Sequence, residues 1–180
     1  DQRLRGLGLS GAFLVGIAPG AAYGPAKEWP ADRFAAAADL ILDENPGAAL
    51  IFGSASEAAA AGRVAAVMRR RAVDLAGRTN LAEAAALIAR CTLFLTNDSG
   101  LMHLAAAVDT PLVAVFGSTN PVTTSPTGRR QRLVRKPVEC APCLKTHCDR
   151  PRQVCMDLIT PGEVAAAALE LLSREGEVNA

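Results

Sequence analysis

Aromatic residues are scarce in this sequence: five Phe, one Tyr and one Trp among 180 positions. So few rings cannot stack a run of bases, and a formal net charge of +1 gives no field to gather a polyanion. Nucleic acid is therefore not an expected partner. No apolar run approaches the roughly 18 to 20 residues that a membrane-crossing helix requires. The first residues, "DQRLRGLGLSG", lack a basic region followed by an apolar core and a small-residue cleavage site, so a cytoplasmic location is expected. An initial Met is also missing, and the first apolar run begins almost at once, which points to a piece of something longer. The length suits one core and one domain over 1–180.

What is present is a series of short apolar runs without polar alternation: "AFLVGI" (12–17), "AALIF" (48–52), "CTLFL" (91–95) and "PLVAVF" (111–116). Strands of a parallel sheet, covered on both faces, read this way. Helical periodicity fills the gaps. Phe34, Ala38 and Ile41 recur over 31–45 after Pro30, and Ala60, Val64, Val67 and Met68 over 56–71, which ends in "RRR" at a helix C-terminus. Asn80 with Glu83 starts a helix to about residue 90, and Thr160 with Glu163 starts a last one over 160–173. A further short strand fits 73–77. The alternation predicts an α/β fold, a doubly wound parallel sheet with right-handed crossovers. Residues 117–159 read as a long, Pro-rich irregular segment, a length that usually carries function or disorder.

In such sheets ligands sit beyond the carboxyl ends of the strands. "TNDSGLMH" (96–103) occupies that place after the third long apolar run. Asn97 or Asp98 can cap the helix that follows, and the first N–H groups of that helix, from Ser99 and Gly100 onward, can face a phosphate. Ser99 and His103 lie four apart and share a face. The competing reading makes Asp98 a cap and His103 a packed residue. "APGAAYGPAKEWP" (18–30) follows the first strand with small residues, Lys27 as a cation and Tyr23 and Trp29 as walls. It lacks the Gly-Lys-Ser/Thr ending of a P-loop. "FGSASE" (52–57) brings Gly53 and Ser54 to the same edge.

Cys91 reads as a small core residue. Cys140, Cys143, Cys148 and Cys155, with His147 adjacent, supply enough thiols for a tetrahedral metal site or an iron–sulfur cluster, although the spacing matches no common zinc-ribbon or ferredoxin pattern. Free or packed thiols and disulfides remain open alternatives. "GRRQRLVRK" (128–136) reads either as a solvated basic edge or as a contact for an anionic acceptor or an anionic membrane surface.

"PGAAYGPAKEWP", "FGSASE", "TNDSGLMHLAAA" and "PLVAVFGSTNP", in this order and spacing, resemble the C-terminal half of the ADP-heptose:lipopolysaccharide heptosyltransferases, glycosyltransferase family 9. The resemblance runs from about residue 12 to 173. It implies a Rossmann-like nucleotide-sugar domain, half of a GT-B enzyme, with the acceptor domain outside this chain. It implies that Asp98 meets the heptose hydroxyls, that Ser99 and Gly100 meet the diphosphate with Thr96 and His103 beside them, and that Lys27 neutralises the ADP leaving group. Tyr23, Gly24 and Ser54 fall on donor-side loops, and Arg78 and Thr79 near the adenine. The general base and the lipopolysaccharide acceptor are expected on the missing half. Transfer would need no cofactor, so zinc or an iron–sulfur centre at the cysteines would be structural. Peripheral contact with the inner membrane is a further expectation. A stand-alone nucleotide-sugar-binding module is the alternative reading, and a protein built mainly around a cysteine-bound metal is a third.

Overall fold

The structure, a computed structural model, describes residues 2–178, with side chains as far as Arg174. Six strands form one parallel sheet in the order β3-β2-β1-β4-β5-β6. They are β1 (Phe13–Ala18), β2 (Gly47–Ile51), β3 (Ala72–Asp74), β4 (Leu93–Asn97), β5 (Leu112–Phe116) and β6 (Gln131–Arg135). The helices are α1 (Gln2–Gly6), α2 (Ala31–Glu44), α3 (Ala58–Val67), α4 (Leu81–Ile88), α5 (Gly100–Ala107), α6 (Pro121–Thr124), α7 (Val154–Asp157) and α8 (Pro161–Val178).

The apolar runs of β1, β2, β4 and β5 serve two cores at once because successive side chains leave a strand on opposite faces. Val15, Ile17, Ala49, Ile51, Leu93, Leu95, Val113 and Val115 face α2, α3 and α8. Leu14, Leu50, Phe52, Phe94 and Phe116 face the side covered by α1, α4 and α5. Gly16 sits where Phe94 crosses β1: a Cβ there would stand 2.3 Å from the Phe94 ring. The large ring takes the room that the glycine gives up.

Two expected start signals are present. Asn80 and Glu83 exchange bonds at the head of α4, Glu83 N–H to Asn80 Oδ1 and Asn80 N–H to Glu83 Oε2, each 2.9 Å. Thr160 and Glu163 do the same at α8. Other expectations shift. The arginines after α3 do not close its last turn. The helix stops at Val67, and the Arg69 and Arg70 N–H groups donate to buried Asp39 on α2 at 2.9 Å each. A buried carboxylate gains more from two amide donors than a fraying helix end gains from cations.

The segment 117–159 is not wholly irregular. The stretch that read as a basic edge forms β6, paired in parallel with β5 from Leu112↔Gln131 to Phe116↔Arg135. Its charges hid the strand. Three of them meet carboxylates: Arg130 reaches Asp109 at 3.3 Å, Arg132 reaches Glu170 at 3.9 Å, and Lys136 pairs with Glu163. No helix among the described residues is long and apolar enough to cross a membrane.

Candidate functional site

The strand order reverses between β1 and β4, and the crevice of an open α/β sheet lies at such a switch point, beyond the strand ends. Asn97, the last residue of β4, ties the loop after β1 to it. Its Oδ1 accepts the Trp29 N–H at 3.0 Å and its Nδ2 donates to the Pro19 carbonyl at 2.7 Å. Trp29 is anchored in turn through its indole N–H to Ile159 O at 3.2 Å and its ring edge against Phe34, 4.9 Å between centroids. Asn97 is therefore a fastener for the loop, not a cap for the helix.

Inside that fastened loop a short 3₁₀ turn, Pro25–Lys27, presents Lys27. The ammonium donates to Asp98 Oδ2 at 2.8 Å, and both side chains are at most a tenth exposed. Thr119 Oγ1 at 2.6 Å and Thr124 Oγ1 at 3.2 Å donate to the same oxygen. The three protein donors leave Asp98 Oδ1 for a donor from outside. The Tyr23 ring lies 4.6 Å from Lys27 Nζ, a cation–π contact. Neither Asn97 nor Asp98 caps α5. Ser99 holds the N-cap position with no side-chain bond of its own to the helix, because Lys27 and the threonines compete successfully for the Asp98 carboxylate. Ser99 Oγ instead lies 3.2 Å from Thr96 Oγ1. The first turn of α5 thus keeps free N–H groups, with the positive end of the helix behind them.

Beside that turn opens a cavity of about 400 Å³ lined by Phe52, Gly53, Glu57, Thr79, Leu81 and Gly100, among others. Ser54 and Ser99 also border it. Phe52, Leu81 and Ala84 supply apolar surface suited to a planar base, and the Glu57 carboxylate supplies an acceptor suited to sugar hydroxyls. Glu57 already takes the Ser54 N–H at 2.8 Å and the Ser54 hydroxyl at 2.7 Å, which positions it. A second cavity of about 510 Å³ opens at the ends of β5 and β6, bordered by Phe116, Thr119, Arg135 and Val138.

The structure places Ser54, Thr79, Ser99 and Gly100 on the cavity of about 400 Å³, while Tyr23, Lys27 and Asp98 form a contact chain beside it and buried Thr96 reaches it through Ser99. Gly24 caps the Lys27 turn and lies against Thr146, His103 is exposed one turn along α5, and the Arg78 side chain is exposed outside the cavity. Sequence reasoning missed Glu57, Thr119 and Thr124. Glu57 carried a signal, three residues after Ser54 in a start pattern for a helix. Thr119 follows the carboxyl end of β5, where any small polar residue was a candidate.

Cys140, Cys143, Cys148 and Cys155 come from three parts of the 137–159 segment yet line one cavity of about 20 Å³, together with Ser118. The Ser118 hydroxyl is buried there without a hydrogen-bond partner. All five cysteines are free thiols. Burial, and after it the proximity of the other three thiols, pushes the Cys155 thiol above its ordinary range, while burial alone pushes Cys91 up to about 12. Among the described residues, no three or more Cys, His, Asp or Glu side chains are gathered at metal-holding geometry.

Residues 8–153 match the profile of glycosyltransferase family 9 (heptosyltransferase). Lipooligosaccharide heptosyltransferase 2 of Haemophilus influenzae is 43% identical over 126 residues, 68% of this chain and 36% of that protein. Lipopolysaccharide heptosyltransferase 2 of Salmonella typhimurium is 38% identical over 167 residues, 91% of this chain and 48% of that protein. The chain therefore spans half or less of the length of these relatives. The solved structure of Escherichia coli ADP-heptose lipopolysaccharide heptosyltransferase II superposes with a TM-score of 0.82 at 33% identity, covering 97% of this chain and 51% of that one.

Proposed function

The chain belongs to glycosyltransferase family 9, the heptosyltransferases, and we propose that it is the donor-binding half of an enzyme that moves heptose from ADP-heptose to the inner core of lipopolysaccharide. The observation that supports this best is the buried Lys27–Asp98 pair at the open end of α5, beside a cavity with an apolar wall and a carboxylate. Adenosine fits the cavity, with Glu57 accepting from ribose hydroxyls and Thr79 near the base. The diphosphate then meets the first N–H groups of α5 and the Lys27 ammonium, and Asp98 Oδ1 accepts from heptose hydroxyls.

In transfer, an acceptor hydroxyl attacks the anomeric carbon, the bond from that carbon to the β-phosphate oxygen breaks, and ADP leaves with the negative charge. Lys27 and the helix end are placed to stabilise that charge as it grows, without reorganising. The proton lost by the acceptor goes to a general base. That base and the acceptor platform belong to the other half of the enzyme. Because the acceptor is a lipid-anchored saccharide, the working place is the inner face of the cytoplasmic membrane.

No cofactor takes part in transfer. The four thiols of the 137–159 segment suit a structural metal by their chemistry, and the orphaned Ser118 hydroxyl suits a thiolate sulfur as acceptor. The thiols would have to move closer together to hold a zinc ion or an iron–sulfur centre.

Calorimetric titration with ADP, UDP and GDP tests the reading. The isolated chain should bind ADP in preference and transfer no sugar, and Lys27→Ala should weaken ADP more than adenosine. Transfer by this chain alone, or preference for UDP or GDP without an effect of Lys27→Ala, overturns it.

A further inference from the structure

Ala26, the residue before Lys27, has both of its backbone polar groups claimed by a segment more than a hundred residues away. Its N–H donates to the Thr146 carbonyl at 2.9 Å, and its carbonyl accepts from Gln153 Nε2 at 2.9 Å. The Tyr23 hydroxyl donates to Leu144 O at 2.7 Å, so the ring under Lys27 is held by the same segment. The Leu144 N–H in turn donates to Ser118 O at 2.7 Å, next to the threonine that binds Asp98. The approach is close enough to demand glycine. Gly24 has φ 149°, and a Cβ there would stand 2.4 Å from Thr146 O.

A three-residue 3₁₀ turn has too few bonds of its own to hold a fixed place. Lys27 depends on outside contacts for the position of its Cα, and its long stem would otherwise lose much rotamer freedom on binding. Each of these contacts from the 143–155 segment also lies within two positions of a cysteine. Leu144 follows Cys143, Thr146 precedes Cys148 by two, and Gln153 precedes Cys155 by two. Those three thiols and Cys140 line the one small cavity.

We propose that the segment 143–155 is a brace for Lys27, that Gln153 is its positioning residue, and that closing the four thiols around a thiophilic divalent cation stiffens the brace and tightens diphosphate binding. The proposal rests on Lys27 being the diphosphate contact. Each thiol that ligates gives its proton to solvent, and the Ser118 hydroxyl gains a thiolate acceptor.

The test is a set of ADP and adenosine titrations on the whole chain as wild type, Gln153→Ala, Lys27→Ala and the double variant. Gln153→Ala removes one hydrogen bond and should weaken ADP by about two- to tenfold. It should leave adenosine unchanged and add nothing in the Lys27→Ala background. Tyr23→Phe, which keeps the ring and loses the bond to Leu144, should act in the same direction and stands in should Gln153→Ala fail to fold. Equal weakening of adenosine, or additive effects of the two substitutions, marks Gln153 as a general structural residue and overturns the brace. In the metal arm, the chain should take up one zinc ion, and a chelator should then weaken ADP in the wild type but not in Lys27→Ala. No zinc uptake, or uptake without change in ADP affinity, overturns the coupling to the thiols. Failure of the wild type to bind ADP at all would instead count against the function proposed above.

Discussion

Asp98 and Lys27 share a hydrogen bond of 2.8 Å in a place where each side chain is at most a tenth exposed, so the Lys27 charge is already neutralised within the protein. On the proposed function, an incoming donor must share Lys27 with Asp98. Neither residue can be removed without stranding the other charge.

Asp98→Ala should therefore cost far more than the loss of a helix cap. Breaking a buried pair from one side costs about 3–5 kcal/mol, because the remaining charge is left uncompensated. Urea unfolding at pH 7 measures it. Added ADP should recover part of the loss, since the diphosphate can pair with Lys27. A loss within the range of a cap, about 0.5–2 kcal/mol, would show that water reaches the pair.

Asn97→Ala should strand the Trp29 N–H and the Pro19 carbonyl in a fully buried position. Each stranded group costs about 1–3 kcal/mol. The variant should lose stability by denaturant unfolding and lose ADP affinity with it, since Lys27 lies on the loop that Asn97 fastens. Normal stability with weakened ADP would make Asn97 a ligand contact.

The thiols should react in a fixed order. Exposed Cys148 and half-buried Cys140 and Cys143 should react first with a neutral thiol reagent. Cys155 should lag, being buried and raised by its thiol neighbours, and Cys91, pushed up to about 12 within the core, should react only on unfolding. Mass spectrometry of timed alkylation reads the order. Early labelling of Cys91 would contradict its burial.

Glu163 accepts from Lys136 and from the Thr160 N–H and hydroxyl, and these bonds lower its carboxyl from 4.5 to about 2. A lowered folded value gives stability that is present above about 4.5 and lost as the pH falls toward about 2. Wild type should thus exceed Glu163→Gln by a constant margin at neutral pH, and the margin should close across that acid window. Because Glu163 is well exposed, the margin is small. A margin unchanged at pH 2 would show that the bonds do not depend on the charge.

The parallel sheet was legible because β1, β2, β4 and β5 are buried on both faces and carry unbroken apolar runs. β6 was not, because at the border of the sheet only Val134 packs against the core, Leu133 is itself exposed, and the other residues are a glutamine and two arginines. α1, with one buried side chain, Leu4, left no periodicity to read. In the site, Lys27 and Asp98 stood out by type and place. Their partnership did not, since a contact between residues 71 apart depends on how β1 and β4 lie side by side. Thr119 and Thr124 matter through the same kind of long-range meeting, and a threonine after a strand has many ordinary uses.

The two borders of the sheet bear on how the protein behaves in crowded solution. A border strand is a row of unpaired amide and carbonyl groups, on which another chain can lay a strand of its own. On one side that row is β3, three residues long, too short to hold a guest. On the other side it is β6, set within a stretch that holds Arg129, Arg130, Arg132, Arg135 and Lys136. A second copy laid along β6 would have to strip water from these charged side chains, the Arg132–Glu170 and Lys136–Glu163 pairs among them. The charges that disguised β6 as a loop thus guard the protein against edge-on stacking and fibril growth.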